Sequence, residues 1–120
     1  MSDAPGETPI TVETTDSAIV ARAKLKTLDD AELKTLINLV DRASEANPAL
    51  TLVILDLSHV TMMPSMALGL LLQASTKCGA RRQRLKLAGL QPQLRRVFTI
   101  TRLDRVFQFA DSVEDAAAGA

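Results

Sequence analysis

The chain has no tryptophan and no tyrosine, and only one cysteine, one histidine and three phenylalanines among its 120 residues. Each scarcity removes a class of function. A lone Cys78 cannot form an intrachain disulfide, so the fold must close on an apolar core, as suits a reducing compartment. At its apolar helical spacing Cys78 reads as a small core residue. His59 has neither a second histidine nor a cysteine at metal-ligand spacing, which argues against a metal site, and it reads as an exposed loop residue. Three phenylalanines in apolar patterns offer few platforms on which unpaired bases could stack. There is no GxxxxGK[ST] or GxGxxG run, hence no phosphate-cradling loop. No apolar stretch approaches the ~18–20 residues of a membrane helix, so no membrane insertion is expected. The opening MSDAPGETP is polar and acidic, unlike a cleaved secretion signal, and the cytoplasm is the expected location.

What is present describes one globular domain. Apolar residues make up 47% of the chain and charged residues 23%, enough for a core of ordinary size. Lys plus Arg equals Asp plus Glu at 14 each, but the signs are unevenly placed. Residues 1–60 carry 5 basic and 10 acidic side chains, and residues 61–120 carry 9 and 4. That asymmetry would give two differently charged faces unless folding mixes the halves, and mixing is the favoured expectation.

Residues 1–9, with Pro5, Gly6 and Pro9, read as a disordered lead. Ile10 to Thr14 and Ala18 to Leu25 read as strands joined by an Asp16-Ser17 turn. Asp29 with Glu32 forms a capping-box pattern for a helix carrying Leu33, Leu36, Ile37, Val40 and Ala43 on one face, which stops near Asn47-Pro48. After the central stretch described next, Gly79 reads as a helix stop and Leu85 to Ala88 as a short strand. Gly89 turns the chain, and Pro92 begins a helix with Leu94, Val97, Phe98 and Thr101 on one face. Val106 to Phe109 reads as an edge strand. Asp111 or Ser112 caps a last helical turn through Ala118, and the end of the chain, residues 117–120, reads as a frayed tail.

The stretch around which the rest is arranged is Thr51 to Leu72, TLVILDLSHVTMMPSMALGLLL. Thr51 to Leu57 is a nearly continuous apolar run, interrupted by Asp56, as expected of a strand covered on both faces. Ser58 to Pro64 leaves the sheet. From Ser65 the spacing of Ala67, Leu70, Leu71, Ala74 and Cys78 is helical, with Pro64 where the missing N–H costs nothing. Ser65 thus lies beside unpaired backbone donors, where an anion on its hydroxyl is favoured by the helix dipole. As a plain cap it would be worth about 1 kcal/mol.

A Ser–His–acid set drawn from Ser65, His59 and Asp56 lacks the G-x-S-x-G elbow and the glycines of an oxyanion loop, so catalysis is not expected. Arg81, Arg82, Arg84, Lys86, Arg95 and Arg96 cluster in sequence and would suit phosphate contacts. A solvated basic face, or a dock for an acidic protein, is the preferred reading over direct nucleic-acid binding.

Three segments in this order, LDLSHVTMMPSMALGLLL, CGARRQRLKLAGLQPQLRRVF and TRLDRVFQFADSVEDA, resemble the STAS domains of bacterial anti-sigma factor antagonists and sulfate transporters. The resemblance covers roughly residues 10–116. It implies an α/β fold, a mixed sheet of four to five strands with helices mainly on one face. It also implies a non-catalytic, cofactor-free switch that binds an anti-sigma factor with serine kinase activity of the GHKL type. In antagonists of this family the kinase phosphorylates a serine at the start of the central helix, and Ser65 matches it. Asp56 matches the aspartate that ends the strand.

The helix from Ser65 is apolar on almost every side, so Met62, Met63, Met66 and Leu68 are candidates for an exposed patch, with Pro64 among them. Methionine suits a surface that adapts to a partner. A phosphate would bring about −1.5 to −2 charges into that patch. Against the family pattern, Pro64 replaces an aspartate, Met66 and Ala67 replace Ser and Gly, and Arg102 replaces the glycine of T-G-L. Two other readings are a STAS scaffold of a signalling or transporter complex with Ser65 unmodified, and a nucleotide- or lipid-binding module using the cleft at the strand ends. An apolar helix of this kind also suits a homodimer.

Overall fold

The computed structural model describes residues 9–119. Five strands form one sheet in chain order, β1 (Ile10–Thr14), β2 (Ile19–Ala23), β3 (Leu52–Asp56), β4 (Arg84–Ala88) and β5 (Gln108–Ala110). β1 runs antiparallel to β2, and each later pair is parallel. The three parallel connections carry α1 (Asp30–Ala46), α2 (Ser65–Ala80) and α3 (Pro92–Ile100). Each crossover steps one strand along in the same direction, so a common hand puts all three helices on one face. Leu33, Leu36, Val40, Leu71, Cys78, Leu94 and Phe98 accordingly join one core cluster with the odd-numbered residues of β2, β3 and β4.

Alternation along the strands sends Val20, Leu52, Ile54 and Ala88 to the opposite face, beneath Ala116 of α4 (Val113–Ala118). β3 is therefore covered on both sides, as its unbroken apolar run requires. Lys86 shares that second face. Its stem is buried and its Nζ donates to the Ala116 carbonyl at 3.0 Å, placing a cation at the C-terminal end of α4.

The local signals explain most boundaries. Asp29 caps α1 in a full capping box with Glu32, and Pro92 is the first residue of α3. Ser112, the second of the two cap candidates, accepts from Asp115 N–H. The three phenylalanines meet at the β5 edge, where Phe98 packs edge-on against Phe107 and Phe109 with centroids 5.8 Å from each.

Three readings need correction. α2 does not stop at Gly79 but runs to Ala80. The stop is a Schellman turn in which Gln83 N–H bonds the Cys78 carbonyl (2.7 Å) and Arg82 N–H bonds that of Gly79 (3.0 Å). The left-handed position is Arg82, at φ +61°. β5 begins at Gln108, later than the expected Val106, because Leu103–Arg105 forms a 3-10 turn and Phe107 plugs the core. β2 ends at Ala23, earlier than Leu25. α4 ends at Ala118, where the last helical turn was expected to end, with Gly119 N–H bonded to the Asp115 carbonyl. Of the expected disordered lead, residues 1–8 lie outside the described residues, and the Pro9 carbonyl accepts a bond from Lys24 N–H at 2.7 Å.

Candidate functional site

The loop from Ser58 to Pro64 is held rather than loose. The Lys26 carbonyl accepts from Thr61 N–H (2.7 Å), Met62 N–H (3.1 Å) and the Thr61 hydroxyl (3.2 Å), and Leu28 N–H returns a bond to the Met62 carbonyl. Val60 and Met63 plug into the core on either side of Met62. The extended chain between them turns Met62 outward, 59% exposed.

Pro64, extended at φ −63° and ψ 162°, occupies the cap position of α2, so Ser65 is its first helical residue. Ser65 is not the cap; no side chain bonds the first-turn amides there. The first intrahelical bond runs from Leu68 N–H to the Pro64 carbonyl, and the amides of residues 65–67 precede it. Ser65 is exposed, and Met66 beside it is 70% exposed.

Of the proposed patch, Met62, Pro64, Ser65 and Met66 are on the surface. Met63 and Leu68 are not, being 5% and 9% exposed within the main core. The expectation of exposure fails there because Met63 and Leu68 join the core cluster built by the sheet, α1 and Val60 of the anchored loop. Leu70 sits in the crevice against Ile37 and Asn38 of α1, so the central helix buries more than one stripe. The exposed strip instead continues one turn along through Gly69, where a Cβ would meet nothing within 4 Å, to Gln73. Gly69 was not singled out from the sequence; its position four residues after Ser65 was the available signal.

Asp56 faces the α4 side of the sheet. Its carboxylate accepts from Ser58 N–H at 3.1 Å and lies 3.5 Å from Arg22 Nε on β2. These contacts hold the chain where it leaves the sheet for the loop. Gly89, at φ +74°, passes so close that a Cβ would come within 3.0 Å of Ser58 Cβ. Among the described residues no hydrogen bond joins Ser65, His59 and Asp56; His59 Nδ1 is 3.4 Å from the Ser58 hydroxyl instead.

The arginine cluster is dispersed by the fold. Arg81 bonds Asp41 of α1 at 2.6 Å, Lys86 is under α4, and Arg95 stacks 4.3 Å above the Phe109 ring. The cleft at the strand ends holds Asp56, Asp111 and Glu114 against one arginine, Arg22, a sign unsuited to a phosphate. No helix among the described residues is long and apolar enough to cross a membrane.

Solved structures with this fold include the following three. An anti-sigma factor antagonist from Mycobacterium paratuberculosis is 22% identical, with a TM-score of 0.74 over 98% of this chain and 97% of its own. The Bacillus cell fate determinant SpoIIAA in its phosphorylated form is 22% identical, with a TM-score of 0.68 over 92% and 97%. A sulfate transporter family protein from Wolinella succinogenes is 15% identical, with a TM-score of 0.76 over 98% and 92%. At these identities the likeness is one of fold. The model of the STAS domain matches residues 9–116, and with the sheet order, the helix that follows β3 and the serine at its first turn in place, the chain belongs to the STAS domain family.

Proposed function

We propose that this domain is an anti-sigma factor antagonist of the cytoplasm, without catalytic activity of its own. It binds an anti-sigma factor with GHKL-type serine kinase activity through the start of α2, and phosphorylation of Ser65 governs that binding. The observation that carries the reading is an exposed hydroxyl on the first residue of α2, between the solvent-exposed Met62 and Met66. Docking there would desolvate two flexible apolar side chains, worth about 1.5–3 kcal/mol for each one fully covered. A phosphate in the same place must lose its hydration or keep the partner away. The free domain tolerates it, because the unclaimed amides of the first turn and the helix dipole favour an anion. The modification therefore changes association more than folding. The likeness to SpoIIAA, solved in a phosphorylated form, supports this reading.

Pro64 favours a second reading, a scaffold STAS domain that is never modified, since no carboxylate precedes the serine. One experiment separates the two. The tagged domain is purified from its own cells, and copurifying proteins and the Ser65 peptide are identified by mass spectrometry. Ser65→Asp is expected to weaken the kinase complex at least about ten-fold, or ~1.4 kcal/mol, while Ser65→Ala keeps it. Equal behaviour of both variants, with a large assembly copurifying, would establish the scaffold instead.

A further inference from the structure

A second surface lies at the far edge of the sheet from the phenylalanine cluster and does not involve Ser65. β1 is an edge strand. Lys24 N–H bonds the Pro9 carbonyl and Thr15 N–H bonds the Ala18 carbonyl, and the register pairs Thr11 with Arg22 and Glu13 with Val20. In an antiparallel ladder this parity turns the odd-numbered residues of β1 toward β2. The N–H and C=O groups of Ile10, Val12 and Thr14 therefore point away from the sheet, and among the described residues nothing pairs with them. On the helix side of this edge, Ile10, Val12, Thr35 and Leu39, with the single charged residue Glu32, line an open, mainly apolar groove between β1 and α1. Ile10 and Val12 are only half-buried against the core.

The geometry points to a second copy of this chain as the occupant, joined β1 to β1 in antiparallel fashion about a two-fold axis at Val12. The strand is self-complementary in one register. With Val12 opposite Val12 of the other copy, Ile10 stands opposite Thr14 at both ends, and the three outward-facing residues exchange about six main-chain bonds. On the other face each Glu13 meets a Thr11 hydroxyl. Sliding by two residues one way sets the two Glu13 carboxylates directly opposite each other, which is repulsive. Sliding the other way leaves Thr14 with no partner among the described residues. A two-fold normal to the sheet keeps both α1 helices on one face, so Leu39 of each copy closes the groove of the other. An unrelated extended peptide would satisfy the backbone but has no reason to match this register or to supply a helix beside the strand.

Sedimentation velocity on the whole chain, from about 1 μM to about 1 mM, reads the association, and amide hydrogen exchange locates it. The expected result is a concentration-dependent dimer in which the amides of Ile10, Val12 and Thr14 become protected as the dimer fills. Val12→Lys sets two ammonium groups against each other and is expected to weaken the dimer at least about ten-fold. Thr14→Pro removes an outward N–H that the fold itself does not use, is tolerated on an edge, and is expected to weaken it comparably should the lysine variant fail to fold. A monomer throughout the range overturns the inference, as does a dimer that survives the folded variants. So does a monomer already protected at residues 10, 12 and 14, whose edge is then covered from within the chain. Neither substitution touches α2, so failure here leaves the Ser65 reading intact.

Discussion

Two arginines hold conformations that ordinarily belong to glycine. Arg82 closes α2 at φ +61° and Arg102 follows α3 at φ +63°. A side chain in the left-handed region crowds its own carbonyl, at a cost of about 1 kcal/mol or somewhat more. Arg82→Gly and Arg102→Gly are each expected to raise stability by roughly 0.5–1 kcal/mol, part of the gain being offset by the freer unfolded chain; urea denaturation measures it. The departure from T-G-L at Arg102 was visible in the sequence, whereas Arg82 was hidden because the nearby Gly79 drew the helix stop to itself. Cys78 behaves as its spacing foretold: it is buried, and burial raises its thiol above the ordinary value of 9.0, with Arg81 opposing that rise in part and Asp41 adding to it. Iodoacetamide at pH 8 is expected to label the folded protein at least about ten-fold more slowly than the urea-unfolded one. The sign follows for stability. A raised thiol favours the protonated folded state, so its contribution is complete below pH 9.0 and declines as the pH climbs past it. Cys78→Ala removes that part of the decline.

At the scale of elements, the capping box, Pro92 at the start of α3 and the apolar run of β3 were legible because each is a short-range signal with one physical cause. The burial of α2 was not. A helical wheel shows how many apolar residues there are, but not that α1 and the anchored loop cover its flanks. For this reason Met62 and Met63, adjacent and chemically identical, have opposite fates. Stability measurements separate them: Met63→Ala is expected to cost about 2–5 kcal/mol, as emptied core sites do, while Met66→Ala and Met62→Ala change stability by less than about 0.5 kcal/mol. Equal costs at Met63 and Met66 would contradict the anchored loop. Asp41 ties α1 to α2 through Arg81 and, at 3.5 Å, Lys77. Nothing in the spacing of these three residues announced that bridge, since they are brought together only by the crossover.

For the whole molecule, the topology limits how far folding mixes the charged halves, although Asp41 pairs with Arg81 and Lys77 across them. Strand order in the sheet is strand order in the chain, so the acidic first half occupies the β1 side and the basic second half the β5 side. α4, with Glu114 and Asp115, is the one element that reaches back across. A protein of zero formal net charge with its signs separated in this way is expected to be retained at pH 7 by both cation and anion exchangers, and released from both by about 0.1 M salt. Passage through both unretained would show the charges to be interspersed. The same ordering bears on how the domain comes into being on the ribosome. Each strand leaves the exit tunnel directly after its future neighbour, so the growing sheet is extended at its open margin and no nascent segment has to be threaded between two already in place.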